Sequence, residues 1–406
     1  AIGAKHALIA LILFGLVGPL PDTGAFAQGR NPFKAVEKRD RNGDGRLSPD
    51  EWHKSKKIFD KIDKDKDGFL SPEDFAKHWG IAVPASGAET SKQKRANKRH
   101  ANNTSDLYFI DAHSQMDEDI SEERVIQLMD EGGIYATLLA KHKRRSWASV
   151  LAFAKAYPKR IIPLIYTKLK NEDKRLEEID EQYRSDKFKG VEEVLVWHGK
   201  KRNVAPQMVR DFDDWTTRKV IEISLKEGWP VVLHIEFQYM PADERVRLMA
   251  GLVKTLEAHP NHPFVLIHMA QLEAPDVGDL IQSHGNVYFM ISQTNPGSNA
   301  LKKGNPWKFV EMFNGQKRLL PRWRQLFKNH PERFIFALDS VFKFNWEHQH
   351  VRQMRLWRRV FQSFPPNVAH AIAHGNAERL WKLEPRSEAQ NAKETNGNSF
   401  LLLAQI

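Results

Sequence analysis

The sequence contains no cysteine. That excludes disulfides, thiolate metal ligands, a cysteine nucleophile and a lipid-modified cysteine near the N-terminus, so every ligand and nucleophile must be a nitrogen or an oxygen. Long apolar runs are equally scarce. The stretch Ala7–Gly18 is too short to span a bilayer comfortably, and no later segment reads as transmembrane. Charge of one sign is not gathered in one helix or tail either: the formal net charge of +11 comes from 62 Lys and Arg interspersed with 51 Asp and Glu, so no nucleic-acid partner is expected. What is present is apolar material for a sizeable core, 41% of 406 residues, enough for one large domain plus something small.

Residues 1–27 have a short basic start at Lys5 and His6, the apolar stretch, the helix breakers Pro19 and Pro21, and Ala25-Phe26-Ala27 before Gln28. This is the layout of a secretory signal with an A-x-A cleavage site. A secreted or periplasmic protein whose mature chain starts near Gln28 is expected, with an uncleaved anchor as the alternative.

Residues 40–74 repeat one pattern, Asp40-x-Asn42-x-Asp44-Gly45 ending at Glu51 and Asp63-x-Asp65-x-Asp67-Gly68 ending at Asp74. Oxygen side chains at loop positions one, three and five surround a hard cation, glycine at six permits the sharp turn, and position twelve closes the sphere. Leu47 and Leu70 suit an apolar pairing between the loops. Phe33, Val36, Trp52, Ile58, Phe59, Phe75 and Trp79 supply the flanking helices. The pair, within residues 28–80, resembles EF-hand proteins over Asn31–Gly80. The resemblance implies two calcium ions, one at Asp40, Asn42, Asp44, Arg46, Ser48 and Glu51, the other at Asp63, Asp65, Asp67, Phe69, Ser71 and Asp74. Asp74 is a methylene shorter than the usual glutamate, so the second loop is expected to bind more weakly or to tolerate magnesium. Residues 81–105, with Pro84, Gly87 and the basic runs Lys92–Arg95 and Lys98–His100, read as a solvated linker; contact with anionic envelope polymers is a second possibility.

After Ser105, apolar strand candidates alternate with amphipathic helical stretches, which predicts a parallel sheet covered by helices. The strand candidates are 107–113, 134–139, 160–166, 190–197, 230–235, 263–268, 286–292 and 333–339; Ser121–Met129, Asp243–Glu257 and Gln349–Phe361 are the clearest helices. Eight strands in about 280 residues fit a (β/α)8 TIM barrel, which carries its catalytic groups at the C-terminal ends of the strands. His113, His234, His268 and Asp339 fall at or beside such ends. In the first strand, L-Y-F-I-D-A-H-S-Q, Asp111, His113 and Gln115 alternate, and alternate side chains of a strand share a face.

These motifs, I-D-A-H-S-Q, H-I-E, I-H-M-A, A-L-D-S and the closing H-G-N-A-E-R-L-W, resemble the amidohydrolase superfamily over residues 106–385. The likeness is to the amidohydrolase-related branch that also holds aminocarboxymuconate-semialdehyde decarboxylase. In that branch the first strand ends in H-x-H, with a fifth-strand histidine and an eighth-strand aspartate completing a divalent metal site. The resemblance implies His113, His234 and Asp339 as ligands of a divalent metal, zinc first, with Gln115 standing where the second histidine belongs. His268 becomes the acid/base. His198 and Glu236 are alternative ligands, and Arg144, Arg145 and Trp197 suit a carboxylate-bearing or aromatic ligand. The implied reaction is hydrolysis of a small ester, lactone or amide by water that the metal activates, Asp339 taking its proton. Decarboxylation uses similar ligands, and a non-catalytic calcium-binding scaffold is the reading from another class. In the closing motif Asn376 is expected to cap the last helix, with Leu380 and Trp381 packed beneath. The tail 386–406 is polar with a short apolar end.

Overall fold

The computed structural model describes residues 32–37, 39, 46–80, 107–199, 208–297 and 309–386. The expected leader 1–27, the linker 81–105, the first-loop positions Asp40, Asn42 and Asp44, and the tail beyond Arg386 lie outside the described residues. The chain divides into two compact units, residues 1–86 and 87–406. Among the described residues no helix is long and apolar enough to cross a membrane.

In the small unit the helices are α1 (Pro32–Glu37), α2 (Lys56–Ile62) and α3 (Pro72–Trp79). Leu47 and Leu70 form the expected antiparallel bridge, exchanging two backbone hydrogen bonds of 2.9 Å. Around it Val36, Phe59, Ile62 and Phe75 are buried, with Trp52 and Trp79 packed against them. Ile58 does not join this core: it is 42% exposed, because its place on α2 is turned away from the face that Phe59 and Ile62 bury. Pro72 at the first position and the Ser71 hydroxyl accepting from Asp74 N start α3.

Among the described residues of the large unit, eight parallel strands run in chain order: β1 (Phe109–Met116), β2 (Ile134–Lys141), β3 (Ile161–Pro163), β4 (Val194–His198), β5 (Val231–Ile235), β6 (Phe264–Leu266), β7 (Val287–Met290) and β8 (Phe334–Ile335). They pair as two sheets, β1 to β3 and β4 to β8. Backbone hydrogen bonds close both seams. Ile165 N donates to Gly190 O at 2.9 Å and Glu192 N to Ile165 O at 3.0 Å; on the other side Ala112 N donates to Phe336 O, Asp339 N to His113 O and Gln115 N to Ser340 O. The result is a (β/α)8 barrel in which one strand at each seam, β3 and β8, is short.

Alternate strand residues divide between two hydrophobic layers, as the pleat requires. Ile110, Ala112, Ala136, Leu138, Ala140, Val232, Val265, Met290, Ile335 and Ala337 form one cluster inside the ring. Phe109, Leu139, Val194, Val196, Leu233, Phe264, Leu266, Phe289 and Phe334 join the larger cluster beneath the helices. The surrounding helices include α4 (Glu122–Gly132), α5 (Ala242–Ala258) and α6 (Val351–Gln362). Ser121 caps α4 by accepting from Arg124 N, and Gly133 ends it at φ 67°, where a side chain would be strained.

The closing motif is differently used than expected. Asn376 does not cap a helix; its side-chain amide donates to Pro331 O and Phe334 O, both at 2.8 Å, and the position before the final helix belongs to Gly375. The asparagine ties that helix to the start of β8. Leu380 and Trp381 are buried in the inner cluster, as the sequence suggested.

Candidate metal centre

The C-terminal ends of β1, β4, β5, β6 and β8 bring together the polar residues of the barrel. In β1 the β2 register shifts between Asp111 and Ser114, so a simple alternation does not hold through the motif. Asp111 faces the β8 seam: its carboxylate accepts from Leu338 N at 2.8 Å and from the Ser114 hydroxyl at 2.6 Å, and burial pushes its pKa up to about 7. It staples strand one to strand eight. His113, beyond the shift, enters the centre.

His113 is completely buried, and neither ring nitrogen has a hydrogen-bond partner. Burial lowers its pKa to about 4, so the imidazole is neutral and presents a lone pair. Its Nε2 lies 3.6 Å from Asp339 Oδ1 and 3.8 Å from Glu193 Oε2. These are too long for hydrogen bonds. They match the spacing of donors around one cation, since two ligands each about 2.1 Å from a tetrahedral ion sit about 3.4 Å apart. A buried polar atom without a partner is costly, and a divalent cation bound here would satisfy it. Residues and geometry therefore fit a metal.

His234 holds both nitrogens against carboxylates, Nδ1 at 2.9 Å from Glu193 Oε2 and Nε2 at 3.1 Å from Glu236 Oε1. Burial acts to lower its pKa, but Glu193 and Glu236 outweigh it and raise it to about 9. To bind an ion the ring must exchange one of these contacts and lose its proton. Glu236 also accepts from Gly199 N at 2.7 Å. His198 sits with its ring 5.1 Å from that of His234, and the two histidines with Glu236 form a second group able to converge on an ion. Gln115 keeps a buried side-chain oxygen without a hydrogen-bond partner, while its main-chain carbonyl accepts from Trp346.

His268 Nε2 is 3.5 Å from Asp339 Oδ2, and its Nδ1 is 2.8 Å from the Ser292 hydroxyl. Asp339 thus faces His113 with one oxygen and His268 with the other. Burial and then Glu193 raise its pKa, to about 7, with Lys168 and Gln293 opposing; Gln293 donates to the carboxylate at 3.2 Å. The backbone is strained here. His268, Met269, Ala270 and Gln271 all have φ between 50° and 58°, Gln293 has 60° and Asp339 56°, conformations that cost non-glycine residues about 1–2 kcal/mol each.

Sequence reasoning missed Glu192, Glu193 and Lys168. Lys168, after β3, pairs with both carboxylates, and the Glu192 and Glu193 side chains are 0% and 5% exposed. Burial pushes Glu192 up to about 8, less what Lys168 takes back. Burial acts upward on Glu193 too, but Lys168, His234 and His113 hold it well below the usual carboxylate range. The signal was available: two adjacent acids inside the apolar run V-E-E-V-L-V-W are residues that a buried strand does not accept without partners.

Two other expectations change. Arg145 is committed to the loop after β1, donating to Asp117 O, Ile120 O and Glu122, and Arg144 is 66% exposed beside Asp117. Trp197 is buried in the layer beneath the helices. Arg145 and Trp197 are thus engaged within the fold, while Arg144 faces solvent.

In the small unit the second loop is arranged as its spacing demands. Phe69 N and Gly68 N donate to Asp67 and Asp63, and Asp67 N to Asp65, while Gly68 has φ 83°. Asp63, Asp65 and Asp67 can converge on one ion. Asp74 accepts from Lys64 N, Ser71 N and the Ser71 hydroxyl. In the first loop Glu51 accepts from Ser48 N and its hydroxyl.

Residues 98–383 match the amidohydrolase family, and residues 38–54 and 56–77 match the EF hand. The chain belongs to the amidohydrolase family and carries an EF-hand pair ahead of the barrel. No curated protein matches it. Similar solved structures include a TIM-barrel protein from Bordetella bronchiseptica (16% identity, 68% of this chain and 99% of that one, TM-score 0.46). Others are 2,6-dihydroxybenzoate decarboxylase from Rhizobium (14%, 69% and 100%, 0.43) and a zinc-bound amidohydrolase from Burkholderia multivorans (14%, 68% and 100%, 0.45).

Proposed function

We propose that this protein is an exported, metal-dependent hydrolase of small esters, lactones or amides. The observation that carries the reading is the buried, partnerless His113 imidazole facing Asp339, whose second oxygen faces His268. A divalent cation, zinc in this proposal, bound by His113, His234 and Asp339 with at most a weak bond from Gln115, supplies Lewis-acid activation of water and of a carbonyl. Asp339 Oδ2 takes the water's proton. His268, 3.5 Å away, relays it to the leaving group, and Ser292 fixes the ring through Nδ1. Left-handed backbone at 268–271 and at 339 carries these two groups.

The small unit is proposed to bind calcium for stability rather than chemistry, and the mature chain to start at Gln28 after export. The test is metal analysis of the purified exported protein with an ester, lactone, amide and decarboxylation screen. Hydrolysis that stops in Asp339→Asn supports the reading. Release of carbon dioxide without hydrolysis replaces it by decarboxylation, and absence of any metal besides calcium replaces it by a scaffold. N-terminal sequencing that finds Ala1 on exported protein overturns the cleavage.

A further inference from the structure

We propose that the side chain of Arg46, the seventh residue of the first calcium loop, is the resident counter-cation of the second loop and sets how tightly that loop holds calcium. This rests on the reading that the second loop binds calcium. The loop pattern gives the Arg46 side chain no role, because position seven contributes only its backbone carbonyl, and to its own loop.

The geometry crosses from one loop to the other. Arg46 and Phe69 hold the same position in the two loops, and each directly precedes a leucine of the Leu47–Leu70 bridge, whose two 2.9 Å hydrogen bonds fix the loops against each other. The Arg46 guanidinium carbon lies 3.7 Å from the centre of the Phe69 ring, and its Nη1 lies 3.6 Å from Asp67 Oδ2. The other oxygen of Asp67 accepts from Phe69 N at 2.8 Å. Asp67 is one of the three carboxylates able to converge on an ion, with Asp63 and Asp65. A cation from the first loop thus stands beside a ligand of the second, seated on the ring of the residue two positions further on.

A salt bridge this exposed, with side chains 44% and 35% accessible, adds little stability. Its effect falls on the ion instead. Calcium affinity in such loops follows the charge that the ligands present. A positive charge beside Asp67 offsets part of the carboxylates' field in the free loop and repels the doubly charged ion in the filled one. Calcium bonds to oxygen at about 2.4 Å, which puts the ion roughly 6 Å from the guanidinium. Coulomb's law in water gives about tenfold in affinity for charges of +2 and +1 at that separation. Salt then grades the effect: Debye lengths of about 30, 8 and 3 Å at 0.01, 0.15 and 1 M leave roughly sevenfold, threefold and 1.4-fold. The stacking on Phe69 matters because it keeps the guanidinium in place against solvation. The short Asp74 and the Arg46 cation both weaken the second loop, and the contribution of Arg46 is the one that fades with salt.

The test is calcium calorimetry on the full-length chain carrying Asp40→Ala, which removes an oxygen ligand of the first loop so that the titration reads the second. Adding Arg46→Met should tighten calcium about sevenfold at 0.01 M salt, about threefold at 0.15 M and less than about 1.5-fold at 1 M. Arg46→Lys keeps the charge and should stay within about twofold of the arginine chain at each salt concentration. An affinity unchanged by Arg46→Met at 0.01 M, a gain that does not fade with salt, or a lysine variant as tight as the methionine one overturns the assignment. Circular dichroism identifies a chain that Asp40→Ala has unfolded. Arg46→Met is then measured with both loops intact, where the gain must fall on the weaker site; no gain, or a gain on the stronger site, overturns the proposal. If the folded Asp40→Ala chain with Arg46 in place binds no calcium, the calcium reading of the second loop itself falls. That is a different result from a second loop that binds calcium and is indifferent to Arg46.

Discussion

Replacing Lys168 with methionine should cost the barrel about 4 kcal/mol at pH 8 and much less at pH 5. The side chain is 15% exposed and is the cation paired with both Glu192 and Glu193, which are almost wholly buried. Removing one partner of a buried ion pair costs about 3–5 kcal/mol, because the charge left behind is neither solvated nor paired. For a domain of this size that is a fall of roughly 10 °C in Tm. The pH sign follows from linkage. The folded-state pKa of Lys168 is raised above its ordinary value, where its two glutamate neighbours overcome the opposing effect of burial. Its contribution is therefore complete below about pH 10 and constant across the range tested. In the variant the stranded carboxylates have folded pKa values above their unfolded ones. The deficit is therefore full above those folded values and vanishes as pH falls towards about 4. Urea unfolding in chelator, which keeps an ion from replacing the ammonium, at pH 5 and pH 8 measures both. Adding Glu193→Gln to Lys168→Met should recover more stability than adding Glu192→Gln, since Glu193 is the carboxylate held ionised. A deficit under about 1 kcal/mol, or one equal at the two pH values, would show that the triad is solvated and refute the reasoning.

Three further outcomes are expected. Asp339→Asn should keep metal in elemental analysis yet lose about 10²–10⁴ in turnover, because an amide cannot accept the proton; near-normal rates would remove it from the proton path. Calcium calorimetry should resolve two unequal sites, the weaker tightened by Asp74→Glu; one site, or a weaker site left unaltered by the change, would contradict the loop assignment. Gly190→Ala should destabilise by about 1–3 kcal/mol, because a Cβ there would sit 2.8 Å from Trp381 Nε1 and 3.0 Å from Leu164 Cδ2; an unchanged urea midpoint would mean that this packing is loose.

Much of the molecule is written in local pattern. Apolar runs announced all eight strands, and the boundaries differ mainly at the seams, where a few backbone bonds replace a full ladder, as at Ile165 and Phe336. The calcium loops needed only their spacing, since the ligands are neighbours in sequence. His113, His234, His268 and Asp339 were legible because each stands at the end of an apolar run, and a barrel gathers such ends at one face.

What the tertiary structure decided is every feature whose partner is remote or whose backbone is unusual. Glu193 could be seen as an odd acid in a strand, but not as the neighbour of Lys168, 25 positions before it in the numbering, and of His113 and His234. Arg145 and Asn376 look like a substrate contact and a helix cap until the backbone carbonyls they satisfy are in view. Nothing in I-H-M-A-Q, a run without glycine, foretells four left-handed residues. Local sequence sets periodicity and donor type, which depend on near neighbours. Which donors converge, which charges are compensated and which turns are forced depend on packing between segments far apart in the chain, and that is settled only when the ring closes.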